Sequence, residues 1–282
     1  MKAWQEWLFT ILIGLAALGS VLVLGFVLFW LARDGIGVIS WEFLTALPRR
    51  RMTEGGIYPA IVGTVFVSAM TMFFALPFGI LTAVYLNEYA SKGILVRLIR
   101  LSIRNLAGVP SIVYGLFGLG LFVSVLRLGH SLLAASLTLA LMALPLIVSA
   151  SEEALKGIPD SFREGALALG ATRWQAVRHQ VLPYAVPGIV TGSVLALGRI
   201  AGETAPIILT GAAYFYPLVP QSVSEQFMAL PYHLYILATQ HEQAAVVRPI
   251  AYGTALVLVA LVLSMSLAAI ITRSYIRRKR AW

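Results

Sequence analysis

The 282-residue chain contains no cysteine, which excludes a disulfide framework, a thiolate metal site and a cysteine nucleophile. Charge is scarce too: 12% of residues are Asp, Glu, Lys or Arg, about half of the roughly 25% usual in soluble chains. So few charges cannot cover a soluble domain, and 59% hydrophobic residues exclude disorder. Ten-residue stretches of polar–apolar alternation are missing, which excludes a membrane β-barrel. None of the four lysines precedes Ser or Thr, so the chain holds no P-loop and cannot be its own P-loop ATPase. No Gly-x-Ser-x-Gly occurs. His241-Glu242 begins a zinc-protease pattern, but position 245 is Ala, so the second ligand is missing. His130, His179 and His233 stand singly in polar or interfacial surroundings, and no metal site is expected.

What is present is long apolar runs. A helix needs about 20 apolar residues to cross the hydrocarbon core, and six segments qualify: residues 8–32, 57–86, 106–126, 131–151, 184–209 and 250–272. Pro77 is expected to kink the second, and Pro145 lies inside the fourth. The first is too long and wrongly flanked for a cleaved leader, so it reads as a retained span. The expected fold is all-α, a polytopic membrane protein with six transmembrane helices. Residues 1–56 form the first helix and an external loop, 57–272 a five-helix transmembrane unit, and 273–282 a basic tail.

The net charge of +9 is first a statement about orientation. With both termini inside, fourteen basic residues fall in inside segments and six outside, with Arg199 within a span. The Arg49-Arg50-Arg51 triplet runs against the bias. The tail Arg277-Arg278-Lys279-Arg280 reads as a positive-inside anchor rather than a nucleic-acid contact. The long outside loop, 210–249, is rich in Tyr, Phe and Pro, and is expected to lie at the interface or re-enter the protein.

The inside loop, 152–183, reads as two short helices. Pro159-Asp160-Ser161 is a start signal, Ser161-x-x-Glu164 fits a capping box, Gly170 ends the first helix and Thr172 can cap the second. An elbow of this kind at a membrane surface can plug into a cytoplasmic groove. Glu164-Gly165-Ala166-x3-Gly170-x9-Gln180-Val181-Leu182-Pro183 resembles the EAA loop of ATP-binding-cassette importer permeases. Glu164, Ala166, Gly170, Leu182 and Pro183 keep that pattern; Gly165 and Gln180 depart from it, where Ala and Ile are usual. The resemblance implies that the loop is cytoplasmic and presses on an ATPase subunit.

Three further stretches narrow the resemblance: residues 54–64, the run Gly108-Val109-Pro110-Ser111 through Leu119, and Arg199-Ile200-Ala201-Gly202-Glu203-Thr204-Ala205-Pro206. Together they are similar to phosphate importer permeases of the PstA type. The resemblance implies a type I importer permease fold in the inner membrane, and a permease subunit forming half of a phosphate path. It implies a second permease (PstC type), two ATPase subunits (PstB type) and an extracytoplasmic binding protein (PstS type). The chain itself would bind no cofactor, ATP and Mg belonging to the ATPase. A permease for another oxyanion, a proton-coupled carrier using Glu203, and a purely regulatory membrane subunit that reports phosphate status are the rival readings, and a dual role in transport and signalling stays open.

Arg199 and Glu203 are four residues apart, hence on one helical face. Ionisable groups inside a span are costly and face a cavity or a partner. They form either a self-neutralising packing pair or a switchable pair on the anion path, since Arg takes phosphate oxygens bidentately. The resemblance favours the second. Thr204 follows, and Pro206 is expected to free a carbonyl and bend the helix. The glycines at 108, 115, 118 and 120 permit close helix approach; alternatively residues 108–111 form a broken helix start whose N–H groups and Ser111 face an anion.

Overall fold

The computed structural model describes residues 3–91 and 93–278, and these are mostly helical. Lys2, Lys92 and residues 279–282, which count in the charge bias and the tail, lie outside the described residues. Helix α1 (Ala3–Gly35) carries the first apolar run, and no part of its most apolar window is buried. It meets the rest of the chain at α12 (Ala244–Arg278), and a side chain at Gly35 would come within 2.7 Å of the Tyr252 carbonyl carbon. The basic segment 273–278 continues α12 as helix rather than forming a separate tail.

A short α2 (Trp41–Thr45) is capped by Ser40, whose hydroxyl accepts from the Phe43 N–H at 3.1 Å. The two-residue strands β1 (Pro48–Arg49) and β2 (Glu54–Gly55) pair antiparallel and lead into α3 (Tyr58–Val84). Pro59 is in the first turn of α3, where no intrahelical donor is lost. The helix widens into a π turn at Tyr85–Tyr89.

The third apolar run is not a single helix from 106. An amphipathic α4 (Ile94–Ala107) stops at Gly108-Val109-Pro110, and α5 (Ser111–Gly118) starts on a new axis 104° away, continuing as π turns to Val125. Pro110 has no N–H and disfavours helix at the residue before it, which fixes the break. The crossing part, Ser111–Val125, is therefore only about 22 Å long. Helix α6 (Leu132–Lys156) forms the centre, packed by α3 on one side and α9 (Leu182–Ala201) on the other. Apolar side chains gain little by association in lipid, so close packing by small residues matters more. Gly192 meets the Ala150 methyl, a Cβ at Gly188 would sit 2.7 Å from that of Ala154, and Gly118 meets the Thr138 side chain. Of the four glycines in the third run, only Gly115 and Gly118 are at close crossings.

Among the described residues, five helical stretches are long and apolar enough to span a membrane, and the bent α4–α5 pair passes the same test taken together, which gives up to six crossings. The 210–249 loop packs back into the fold: Phe227 is fully buried, the Leu230 N–H donates to the Thr64 hydroxyl at 2.8 Å, and Gly63 makes room for the Met228 carbonyl. It then forms α11 (Leu230–Thr239). His233, expected in a polar setting, is instead 2% exposed there.

Candidate functional site

The fifth apolar run is broken in its middle. Helix α9 ends at Ala201, the Gly202 and Glu203 N–H groups close tight turns onto Arg199 and Ile200 carbonyls, and α10 (Ala205–Thr210) restarts beyond. Pro206 therefore occupies the first turn of α10, where it frees no carbonyl; the interruption falls at Gly202–Thr204, before the proline. Arg199 lies in the last turn of α9, where a cation complements the helix dipole. Glu203 lies past the helix end rather than on it, yet the turn still brings its Oε1 to 3.4 Å from the Arg199 Nε. That is one long contact, not a fork. The Arg199 side chain is 48% exposed and that of Glu203 17%, and Arg199 has no other side-chain partner among the described residues.

Thr204 starts α10 without using its hydroxyl as a cap. Ser111 starts α5, one turn before Gly115, and at Gly115 a side chain would come within 3.0 Å of the Pro206 Cα. Ser111 is thus on the α5 face that packs against the restart after Glu203. Tyr114, whose hydroxyl donates to the Leu106 carbonyl at 2.9 Å, is within electrostatic reach of Arg199. Arg199, Glu203 and Thr204 come together at the break, with Ser111 on the neighbouring helix. They can present one guanidinium with free terminal nitrogens, two hydroxyls and a carboxylate able to draw that guanidinium away.

At the other end, residues 157–183 form an elbow from α7 (Asp160–Ala168), Gly170, α8 (Arg173–Ala176) and a π turn into α9. The capping box expected at Ser161 is absent: the helix begins one residue earlier, after Pro159, with no side-chain cap. The box at Thr172 is present, the Thr172 hydroxyl accepting from Gln175 N–H at 3.3 Å and the Gln175 side chain from Thr172 N–H at 2.8 Å. Gly170 takes φ of +84°, and the Ala171 N–H reaches back to the Ala166 carbonyl at 3.1 Å, closing α7. Val177, Val181 and Ala185 anchor the elbow in a core with Ala83, Val84 and Leu86, with Leu182 against it.

Sequence reading treated Arg163 and Arg100 only as orienting charges, and missed their partners. Arg163 donates to Glu88 at 2.7 and 3.0 Å, to the Leu155 and Ile158 carbonyls, and to Asp160 at 3.2 Å. The hydrogen bond to Glu88 pushes the Arg163 guanidinium above its ordinary pKa. Arg100 joins Glu152 at 3.0 Å and the Leu86 carbonyl at 2.8 Å. A charge at the end of each of two apolar runs, Glu88 and Glu152, was the available signal. The elbow also exposes Leu169 and Trp174, at 91% and 50%, on the side away from the spans' core.

Two broken spans, one with an ion pair at its break, and an elbow tied to α3, α6 and α9 mark the chain as a multi-span membrane protein with a docking-shaped loop at one end. Residues 75–280 match the family described as binding-protein-dependent transport system inner membrane component. The phosphate transport system permease protein PstA 1 of Mycobacterium tuberculosis is 37% identical over 89% of this chain and 81% of its own length. The probable phosphate transport system permease protein PstA of Methanocaldococcus jannaschii is 30% identical over 93% and 91%. The fold matches a crystal structure of a bacterial alginate ABC transporter, with a TM-score of 0.68 at 20% identity, covering 95% of this chain and 96% of that one. The chain belongs to the binding-protein-dependent inner membrane permeases and, among them, to the PstA type.

Proposed function

We propose that this chain is the permease subunit of an ATP-driven phosphate importer, forming half of the path with a second, PstC-type permease. Identity to PstA permeases over most of the chain supports the substrate, and the Arg199–Glu203 arrangement supports the site. Both termini and the elbow face the cytoplasm, and the chain sits in the inner membrane. Two PstB-type ATPases dock on the elbows around Glu164, Ala166, Gly170, Leu182 and Pro183, with Leu169 and Trp174 at the contact. They bind the ATP and Mg; this chain holds no cofactor. A PstS-type protein delivers phosphate from outside.

ATPase closure would move α7, and Arg163 would carry that motion to α3 through Glu88 and to the end of α6 through Leu155. When the spans open inward or outward, the Arg199 terminal nitrogens offer a transient contact to phosphate oxygens, with Ser111 and Thr204 as hydroxyl partners. Glu203 then recaptures the guanidinium and repels the anion, so that it does not stay bound. The free side of Arg199 is the single observation that carries this site.

The test is labelled-phosphate uptake by the reconstituted complex. Arg199→Gln should lower the rate at least tenfold, because a charge-assisted fork contributes more than 1.4 kcal/mol. Normal uptake with Arg199→Gln and Glu203→Gln together would refute the site. Inhibition by sulfate or molybdate as strong as by unlabelled phosphate would refute the substrate. Uptake surviving removal of the ATPase would instead indicate a secondary carrier.

A further inference from the structure

Helix α4 runs nearly perpendicular to the span that follows it, and three arginines, Arg97, Arg100 and Arg104, share one of its faces. They are not equivalent. Arg100 is fastened to Glu152 and to the Leu86 carbonyl. Arg97 and Arg104 have no side-chain hydrogen bond or ion pair among the described residues, and both are exposed. They border a groove of about 470 Å³ with Gly93, Ile94 and Val96.

The same helix forms the edge of a second space. Ile103 and Leu106 line a cavity of about 800 Å³ that continues between α3, α5 and α6, past Val113, Phe117 and Phe74. Its lining is almost wholly apolar, and none of Arg199, Glu203, Thr204 or Ser111 borders it. On α3 it reaches from Thr82 to Phe74, about 12 Å along the helix axis. An anion of the transport path has no partner in such a space, since an unpaired charge there is strongly disfavoured. An acyl chain is suited to it.

We infer that α4 holds an anionic phospholipid of the leaflet on the elbow's side, its phosphodiester on Arg97 and Arg104 and one acyl chain in the α3–α4–α5–α6 cavity. Charge complementarity selects the headgroup: two unpartnered guanidiniums stand where lipid phosphates lie, and a zwitterion brings a compensating cation that weakens the attraction. The 104° bend at Gly108-Val109-Pro110 makes the site, because it turns α4 across the axis of α5, with Arg97 and Arg104 on one face of α4 and Ile103 and Leu106 of its other face on the cavity wall. Arg100 connects this lipid to the elbow. Its anchors, Glu152 and Leu86, adjoin the segment in which Glu88 grips Arg163, so the lipid braces α4 against the parts that receive the ATPase stroke.

The experiment is native mass spectrometry on the full complex after reconstitution with phosphatidylglycerol or phosphatidylcholine. One phosphatidylglycerol should remain on this chain through detergent exchange, and phosphatidylcholine should not. Arg97→Gln with Arg104→Gln should weaken retention about thirtyfold, five- to sixfold per arginine. Val113→Trp, which fills the cavity and leaves both arginines, should also lose the lipid. Arg49→Gln with Arg127→Gln, at the far end of the spans, should retain it. Four results would overturn the inference. They are equal retention by the Arg97/Arg104 variant, equal retention of phosphatidylcholine, displacement of the lipid by inorganic phosphate, and retention only after the second permease is removed. The third would make the groove a free-anion site and the fourth would make the cavity a subunit interface. Phosphate uptake is not the readout, so failure here leaves the transport site untouched.

Discussion

The Arg163 guanidinium grips the Glu88 carboxylate, Nη2 at 2.7 Å from Oε1 and Nε at 3.0 Å from Oε2, and so hangs the elbow from the end of α3. The side chains are 19% and 6% exposed, so water screens this pair little. Removing one partner of a buried pair leaves the other charge uncompensated, at a cost of about 3–5 kcal/mol. Glu88→Gln should therefore lower stability by about 3 kcal/mol, and Arg163→Lys by less. ATP hydrolysed per phosphate imported should rise in both. Thermal unfolding of the complex and the transport-to-hydrolysis ratio check this; an unchanged ratio would separate the pair from coupling.

Two glycines in the same elbow should respond with opposite signs. Gly165 lies inside α7 with open space around it, so Gly165→Ala should stabilise by about 0.5–1 kcal/mol. Gly170 also has open space, but its φ of +84° is left-handed, and a Cβ there costs about 1–2 kcal/mol. Gly170→Ala should lower the melting temperature and the coupled ATPase rate. Equal shifts in both variants would mean the elbow's handedness is not set at Gly170.

His233, in α11, has both ring nitrogens buried without a hydrogen bond among the described residues. Burial, aided by the nearby His241, pushes its pKa from 6.5 down to about 4. The unfolded chain therefore binds a proton more readily between those two values. The stabilisation is complete above pH 6.5 and is lost as pH falls towards 4, by about 3 kcal/mol. His233→Leu should flatten this slope in melting curves across that range. A slope as steep as in the parent chain would assign the acid sensitivity to other groups.

The hairpin tip Arg50, Arg51 and Met52 has three successive residues with φ of 44°, 53° and 71°. Left-handed backbone costs a residue with a Cβ about 1–2 kcal/mol. Arg51 is 80% exposed, and its contact to Glu242 is 3.7 Å long, so losing that pair costs little. Arg51→Gly should raise stability by about 1 kcal/mol in a thermal shift. A fall would mean that the His241 contact to the Arg51 carbonyl, at 2.8 Å, needs the arginine.

Much of the fold is legible because lipid imposes one rule: each crossing must satisfy its own backbone hydrogen bonds, so long apolar runs become helices. The two broken spans were less legible. Hydropathy stays high through 106–110, where only local backbone chemistry interrupts the helix, whereas Gly202-Glu203-Thr204 is polar but its i, i+4 spacing from Arg199 reads as a pair on a continuing helix. Pro110 signalled its break, but Pro206 pointed to the wrong side of the other. In the elbow, Gly170 and Thr172 could be read from residue type, since turn geometry is local. The role of Arg163 could not, because its partner Glu88 is 75 positions away.

The sequence alone determined an all-helical membrane chain, the elbow's helix–glycine–helix order and the presence of one arginine–glutamate pair within an apolar run. These depend on neighbouring residues and on the hydrocarbon solvent. Tertiary structure alone decided that Glu203 meets Arg199 across a helix end, that Arg100 is bound while Arg97 and Arg104 have no side-chain partner among the described residues, and that α3 carries the elbow. Those outcomes rest on side chains from distant segments competing for the same few charged partners, and that competition is settled only when the helices pack.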